Sequence, residues 1–204
     1  MKYKKRIVFG VLFLIFAAFV YRTSVVRLTK NFHEVDPGRF YRSAQLDPAE
    51  LEEAIDRYGI KTVISLRGAP KNSYWYPGQV EVLERKKVKF LAVGWTSDYF
   101  PHADDLKTFI KALKEEQYPI LVHCRTGADR TGEATAIYAI DYMNIPKDEA
   151  IAKYLSFTYW HVPLFHPAKI EFVRRYQGYD WAMNVYSPCA TENKQWAEPG
   201  QCPP

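Results

Sequence analysis

The feature that most constrains this chain is a cysteine set between an apolar run and a second apolar segment. Pro119-Ile120-Leu121-Val122 reads as a short buried strand. Glu133 to Met143, rich in Ala, Ile and Tyr, reads as a buried helix. Between them lies His123-Cys124-Arg125-Thr126-Gly127-Ala128-Asp129-Arg130-Thr131-Gly132. A strand that turns directly into a helix, both buried, requires a layered body with helices packed on a sheet.

The rest of the chain is consistent with such a body. Asp47, Pro48 and Glu50 form a helix start of the capping-box kind, Leu51, Ala54, Ile55 and Tyr58 share one face, and Gly59 can end the helix. Lys61 to Leu66 is a short β-branched strand, and Val88 to Val93 is another. A short strand is expected around Arg39-Phe40-Tyr41, inside an otherwise irregular lead-in from Asn31 to Gln45. Helices are expected over Gly78–Lys87, with Val80 and Leu83 inward, over Ala103–Glu116, after Pro146, and over Pro167–Tyr176. Tyr74 to Pro77 reads as an aromatic loop. Strands alternating with helices give the fold class: α/β, a central and largely parallel sheet flanked by helices, preceded by an N-terminal hydrophobic helix.

The central loop carries the chemistry. A strand-to-helix turn leaves backbone N–H groups unpaired and aimed at one point, and with the helix dipole they form an anion site. Gly127 allows backbone conformations that a β-carbon forbids. The planar fork of Arg130 binds two phosphate oxygens at once. Cys124 lies in the same field, which favours the nucleophilic thiolate and in-line attack on phosphorus. Residues 125–129, that is Arg125, Thr126, Gly127, Ala128 and Asp129, supply the cradle. Thr131 is placed to donate to the departing sulfur, and His123 is expected to orient the loop by hydrogen bonds from a buried position. A small buried hydrophobe, a sulfur-transferase loop or a binding-only phosphate site are the competing readings of such a cysteine.

His-Cys-x5-Arg-Thr-Gly, as it stands at His123 to Gly132, resembles the signature of protein tyrosine and dual-specificity phosphatases. Tyr41-Arg42-Ser43-Ala44-Gln45 and Gly59 to Arg67 are similar to the opening of compact dual-specificity-like phosphatases of bacteria, fungi and plants. The resemblance spans about Phe40 to Leu155. It implies a metal-free, cofactor-free mechanism, with Cys124 as nucleophile, Arg130 on the phosphate and an upstream aspartate as general acid. Asp98, in Trp95-Thr96-Ser97-Asp98-Tyr99-Phe100-Pro101, has the expected position, although the Trp-Pro-Asp order of the larger tyrosine phosphatases is missing. Asp104 and Asp105 are rivals with the simpler role of offsetting a helix dipole, and Asp129 is placed to hold Arg130 or its neighbours. The substrate is a phosphorylated protein or, as the alternative, a phosphoinositide or inositol polyphosphate. A non-catalytic membrane phospho-ligand sensor is the reading from another class.

At the N-terminus, Lys2, Lys4, Lys5 and Arg6 precede an apolar run from Ile7 to Tyr21, a targeting pattern. Its 15 residues fall short of the ~20 of a comfortable span, unless it extends to Val26 with Arg22 snorkelling. An uncleaved signal anchor is preferred to a removed signal peptide. Basic residues flank both sides, so orientation rests on the cysteines. If Cys189 and Cys202 pair in the Pro-rich tail, Cys124 is the one free thiol and the domain lies in an oxidising compartment outside the cytoplasm, for instance the periplasm; two unpaired tail thiols are the other reading. The expected organisation is an anchor and linker over 1–30, a phosphatase domain over 31–186 and an irregular tail over 187–204. A net charge of +5 suits anionic substrates or a membrane surface, and no basic, aromatic-interleaved stripe points to nucleic acid.

Overall fold

A computed structural model describes residues 2–203. The first helix, α1 (Lys2–Leu28), is followed by β1 (His33–Asp36), β2 (Phe40–Ser43), α2 (Pro48–Tyr58), β3 (Thr62–Ser65), α3 (Tyr76–Arg85) and β4 (Lys89–Ala92). Then come α4 (Ala103–Glu115), β5 (Ile120–His123), α5 (Asp129–Tyr142), α6 (Lys147–Tyr154), α7 (Pro167–Arg175) and α8 (Tyr179–Asn184).

The strands form one sheet in the order β1-β2-β5-β3-β4, with only the β1–β2 edge antiparallel. This is the expected α/β class with a largely parallel sheet. Alternation along the strands divides the core into two layers. Tyr41, Val63 and Leu121 face α2 and α3, whereas Phe40, Ile64, Ile120 and Val122 face the larger layer built on α4 to α8. β5 lies between β2 and β3, so it is buried on both faces, and all four of its residues are apolar or buried. His123 is in register with Ser43 and Ser65, so three chain segments leave the sheet together at one edge. Ligand sites of open parallel sheets form at such carboxyl ends.

Local signals set most boundaries. The α2 capping box is complete: the Glu50 N–H donates to the Asp47 carboxylate and the Asp47 N–H donates to Glu50, while Gly59 closes the helix at φ 64°. Four expectations need correction. The lead-in contains β1, which pairs with β2 through an irregular register. The aromatic loop is shorter than expected, because α3 already begins at Tyr76, and its inward residues are Gln79, Val82 and Leu83, with Val80 only half-buried. The central helix starts at Asp129, so Asp129 to Gly132 form its first turn. Helix α8 was not expected, being too short to show a periodic pattern.

The tail beyond Tyr186 is irregular apart from a short turn of 3-10 helix at Lys194–Trp196, and a disulfide joins Cys189 to Cys202. It folds back onto the body: the Trp196 ring stacks on Phe100 at 5.9 Å, and the Phe100 N–H donates to the Trp196 carbonyl at 2.8 Å. One helical window, Phe9–Leu28, is long and apolar enough to cross a membrane by length and composition.

Candidate active site

Cys124 follows β5 directly and is 2% exposed, at the floor of the loop that leads into α5. The loop carbonyls are drawn away from its centre. Asn31 Nδ2 donates to the Thr126 carbonyl at 3.2 Å and to the Gly127 carbonyl at 3.0 Å. Arg42 also donates to the Gly127 carbonyl, and the Gln45 N–H donates to the Arg125 carbonyl at 3.3 Å. With carbonyls fixed outward, the amides between Cys124 and Arg130 are left for an anion. Gly127 has φ 68°, and a β-carbon there would stand 2.6 Å from the Ala44 nitrogen, so only glycine fits.

Three guanidinium groups surround the loop. Arg130 Nη1 donates to the carbonyls of Leu66 and Trp95, each at 3.2 Å, and these two bonds anchor the side chain between the ends of β3 and β4. Its remaining N–H groups have no protein partner among the described residues. Arg67 lies over the Trp75 ring at 4.2 Å and donates to Gln45 at 3.1 Å; burial lowers its pKa, with the nearby Arg130 adding to the effect. Arg42 is fully buried, with its guanidinium 4.1 Å from the Tyr159 ring centre. Burial pushes it down to about 10, offset in part by Tyr159 and Cys124, so it stays cationic at neutral pH. Among the described residues no carboxylate pairs with Arg42, so its charge is left to favour an anion such as a phosphate in the adjoining loop. Arg125 and Thr126 are exposed at the rim, Ala128 is buried, and Asp129 is half-buried.

The Thr131 hydroxyl is buried without a hydrogen-bond partner. His123 is also buried, and burial pushes its pKa down to about 4, so the ring is neutral. Neither ring nitrogen has a partner. The contact of His123 with the loop is limited to a weak approach to the Cys124 backbone, which partly offsets the effect of burial on the ring; the hydrogen bonds that hold the loop come from Asn31, Arg42 and the Gln45 amide.

Asp98 joins the site through histidines. His166 Nδ1 lies 2.9 Å from Asp98 Oδ1, and His166 Nε2 lies 3.6 Å from Asp129 Oδ2. His161 Nδ1 lies 2.8 Å from Asp129 Oδ1. The Asp98 segment is also held at Tyr99, whose carbonyl accepts from Lys169 at 2.6 Å, while Lys169 pairs with the buried Glu133 of α5 at 3.0 Å. Of the rivals, the Asp105 carboxylate accepts from the Gly94 N–H, and Asp104 lies in the first turn of α4.

Asn31, Arg42, Arg67, His161, His166 and Lys169 had no assigned role in the sequence reading. Arg42 carried the clearest signal, a charge at an inward strand position. The histidines gave none, because they come from a loop about 35 residues further on. No cluster of three or more His, Cys, Asp or Glu side chains able to hold a metal ion occurs among the described residues.

Solved structures share the fold at low identity. The core catalytic domain of the PP-IP phosphatase Siw14 from S. cerevisiae, solved with citrate, matches with a TM-score of 0.59 and 19% identity, over 72% of this chain and 85% of that one. P. aeruginosa TpbA matches with a TM-score of 0.59 and 22% identity, over 76% and 89%; a variant of it was solved with pTyr. PTPMT1, solved in complex with PI(5)P, matches with a TM-score of 0.57 and 16% identity, over 70% and 92%. No curated protein sequence matches the chain. The model of the tyrosine phosphatase family matches residues 26–166, well over half of the sequence and all of the loop described above. The chain belongs to the tyrosine phosphatase family.

Proposed function

We propose that the protein is a cysteine-dependent phosphatase of phosphotyrosine and related phosphoric monoesters, anchored to a membrane by α1 with its catalytic domain on the extracytoplasmic side. The single observation that carries the chemistry is the outward fixing of the loop carbonyls around Cys124, beside the partner-free face of Arg130 and the buried charge of Arg42. The Cys124–Asp129 amides and Arg130 bind the phosphoryl oxygens. The Cys124 thiolate attacks phosphorus in line; a P–S bond forms as the P–O bond breaks, and Asp98 protonates the leaving oxygen. Water then attacks the phosphocysteine, gives its proton to Asp98, and sulfur leaves as thiolate with Thr131 donating to it.

The inositol phosphate reading stays second, favoured by the extra guanidinium of Arg67 beside Arg125 at the rim. The Cys189–Cys202 bond supports the extracytoplasmic side. The test is hydrolysis of p-nitrophenyl phosphate, a phosphotyrosine peptide and inositol phosphates by wild type and Cys124→Ser. Activity on at least one substrate in wild type, and a loss of about 10³-fold or more in Cys124→Ser, is expected. Equal rates in the two proteins exclude the proposal.

A further inference from the structure

The anchor helix and the candidate active site share one surface. α1 ends at Leu28, and Asn31, three residues on, holds the loop carbonyls. Helix residues Thr23, Val26 and Arg27 line a cleft together with Ala44, Gln45, Arg125, Thr126 and Trp160. The helix leaves the body one turn earlier, where the Phe19 ring meets Trp160 at 5.3 Å.

The length of the apolar run fixes where a bilayer edge falls. The uninterrupted apolar run Ile7 to Tyr21 is 15 residues, about 22 Å of helix against the ~30 Å hydrocarbon thickness; the wider window Phe9–Leu28 reaches that thickness only by including Thr23, Val26 and Arg27, which line the cleft. Such a short span has no slack, so the body is drawn against the membrane. Trp160, at the point of exit, then lies at the interface, the preferred place of tryptophan. Thr23 is four residues beyond Phe19, about 6 Å along the axis. The headgroup layer is roughly 5–8 Å deep on each side. The cleft beside Arg125 and Thr126 therefore opens at headgroup depth.

The neighbouring segment is shaped for the same surface. It runs from Phe157, whose ring meets Trp160 at 5.1 Å, to His166 beside Asp98. On it Phe157, Leu164 and Phe165 are 49%, 83% and 70% exposed, an apolar rim spanning from the anchor to the Asp98 loop. Arg27 and Arg125 line the cleft with Trp160, and Arg22 lies near His33, whose ring packs on Tyr159, so positive charge borders the anchor end of the segment, while Lys30 is paired with Glu50 at 2.9 Å. Apolar side chains flanked by arginines suit an anionic bilayer surface better than the polar surface of a soluble protein.

We infer that the rim of Phe157, Trp160, Leu164 and Phe165 docks on the bilayer that α1 enters, and that the Cys124 pocket takes its phosphate monoester from a lipid headgroup. This rests on the phosphatase and anchor readings above and narrows their substrate class. A soluble phosphoprotein would have to enter between the rim and the membrane; a headgroup phosphate is already at the depth of the cleft.

The test uses the full chain with phosphatidylcholine vesicles carrying a few per cent of a phosphatidylinositol monophosphate. The same headgroup without acyl chains, a soluble phosphotyrosine peptide and p-nitrophenyl phosphate are the comparison substrates. Wild type is expected to float with the vesicles and to prefer the vesicle lipid to both the free headgroup and the peptide. The triple variant Phe157→Ser/Leu164→Ser/Phe165→Ser is expected to keep p-nitrophenyl phosphate hydrolysis within about 2-fold and to lose about 10-fold or more on the vesicle lipid. Equal activity of the variant on vesicles, or a wild-type preference for peptide or free headgroup, overturns the inference while leaving the phosphatase reading intact. Absence of p-nitrophenyl phosphate hydrolysis by wild type overturns the phosphatase reading, and failure to float overturns the anchor; either removes the inference with it.

Discussion

His123 shows how a single residue couples the site to pH. Its ring is held neutral at the end of β5, with a pKa of about 4 in the folded protein against 6.5 for the free side chain. The unfolded chain therefore binds this proton first, and between these values stability falls as pH falls. Above pH 6.5 the contribution is complete; towards pH 4 it is lost at 1.36 kcal/mol per unit, about 3 kcal/mol in all. Replacing His123 by Asn removes the titration. Thermal unfolding at pH 7 and pH 5 is expected to show a larger loss for wild type than for His123→Asn; parallel shifts in the two would mean that the ring is already solvated. Gly127 is constrained by space instead. A β-carbon 2.6 Å from the Ala44 nitrogen forces β2 and the loop apart, so Gly127→Ala is expected to cost about 2 kcal/mol or more and to abolish phosphate binding, measured by unfolding and by competition with inorganic phosphate.

At the scale of elements, the Asp98 segment is held from three sides: His166 at the start of α7, Lys169 within it, and Arg130 of α5 through the Trp95 carbonyl. If Asp98 protonates the leaving group, His166 positions it. His166→Ala is then expected to lower kcat for an alkyl phosphate about 10-fold or more with KM little changed, and to leave an aryl phosphate with a good leaving group near the wild-type rate. Equal losses on both substrates would point to a structural role alone. This network also marks where sequence reading stops. The strand–Cys–Arg–helix pattern is local, so the fold class, the β5–loop–α5 unit and the α2 capping box were legible. The roles of Arg42, Asn31 and His166 were not, because each reaches the loop from a segment 35 or more residues away; Arg42 alone left a local sign, a charge at an inward strand position. β1 escaped notice for a related reason: His33-Glu34-Val35-Asp36 has little apolar alternation and is a strand only because β2 pairs with it. The start of α5 was misplaced because Asp129 to Gly132 carry turn-forming residues, yet Gly132 is needed where a β-carbon would meet the Tyr154 carbonyl at 2.7 Å.

For the molecule as a whole, the tail ties the far end of the chain to the segment that carries Asp98. Phe100, two residues after Asp98, is covered by Trp196 and hydrogen-bonded to it, and His102 lies 3.1 Å from Glu198. The Cys189–Cys202 bond closes a 13-residue separation around these contacts. A loop of that size limits the freedom of the unfolded chain by about 3 kcal/mol on the chain-entropy view. For a body of this size that corresponds to roughly 6–12 °C in Tm. Reductant, or Cys189→Ser with Cys202→Ser, is therefore expected to lower Tm by that amount in wild type and to have no additive effect in combination. Because the freed Trp196 uncovers Phe100 next to the Asp98 segment, the same treatment is expected to reduce turnover of an alkyl phosphate more than that of an aryl phosphate. Cys124 lies outside the bond, so a loss of both activities in equal measure under reductant would place the tail's role elsewhere. A tail that needs its disulfide and a nucleophile that needs a free thiol can both be satisfied in an oxidising compartment, because Cys124 is buried at the floor of its loop while its two counterparts are already paired.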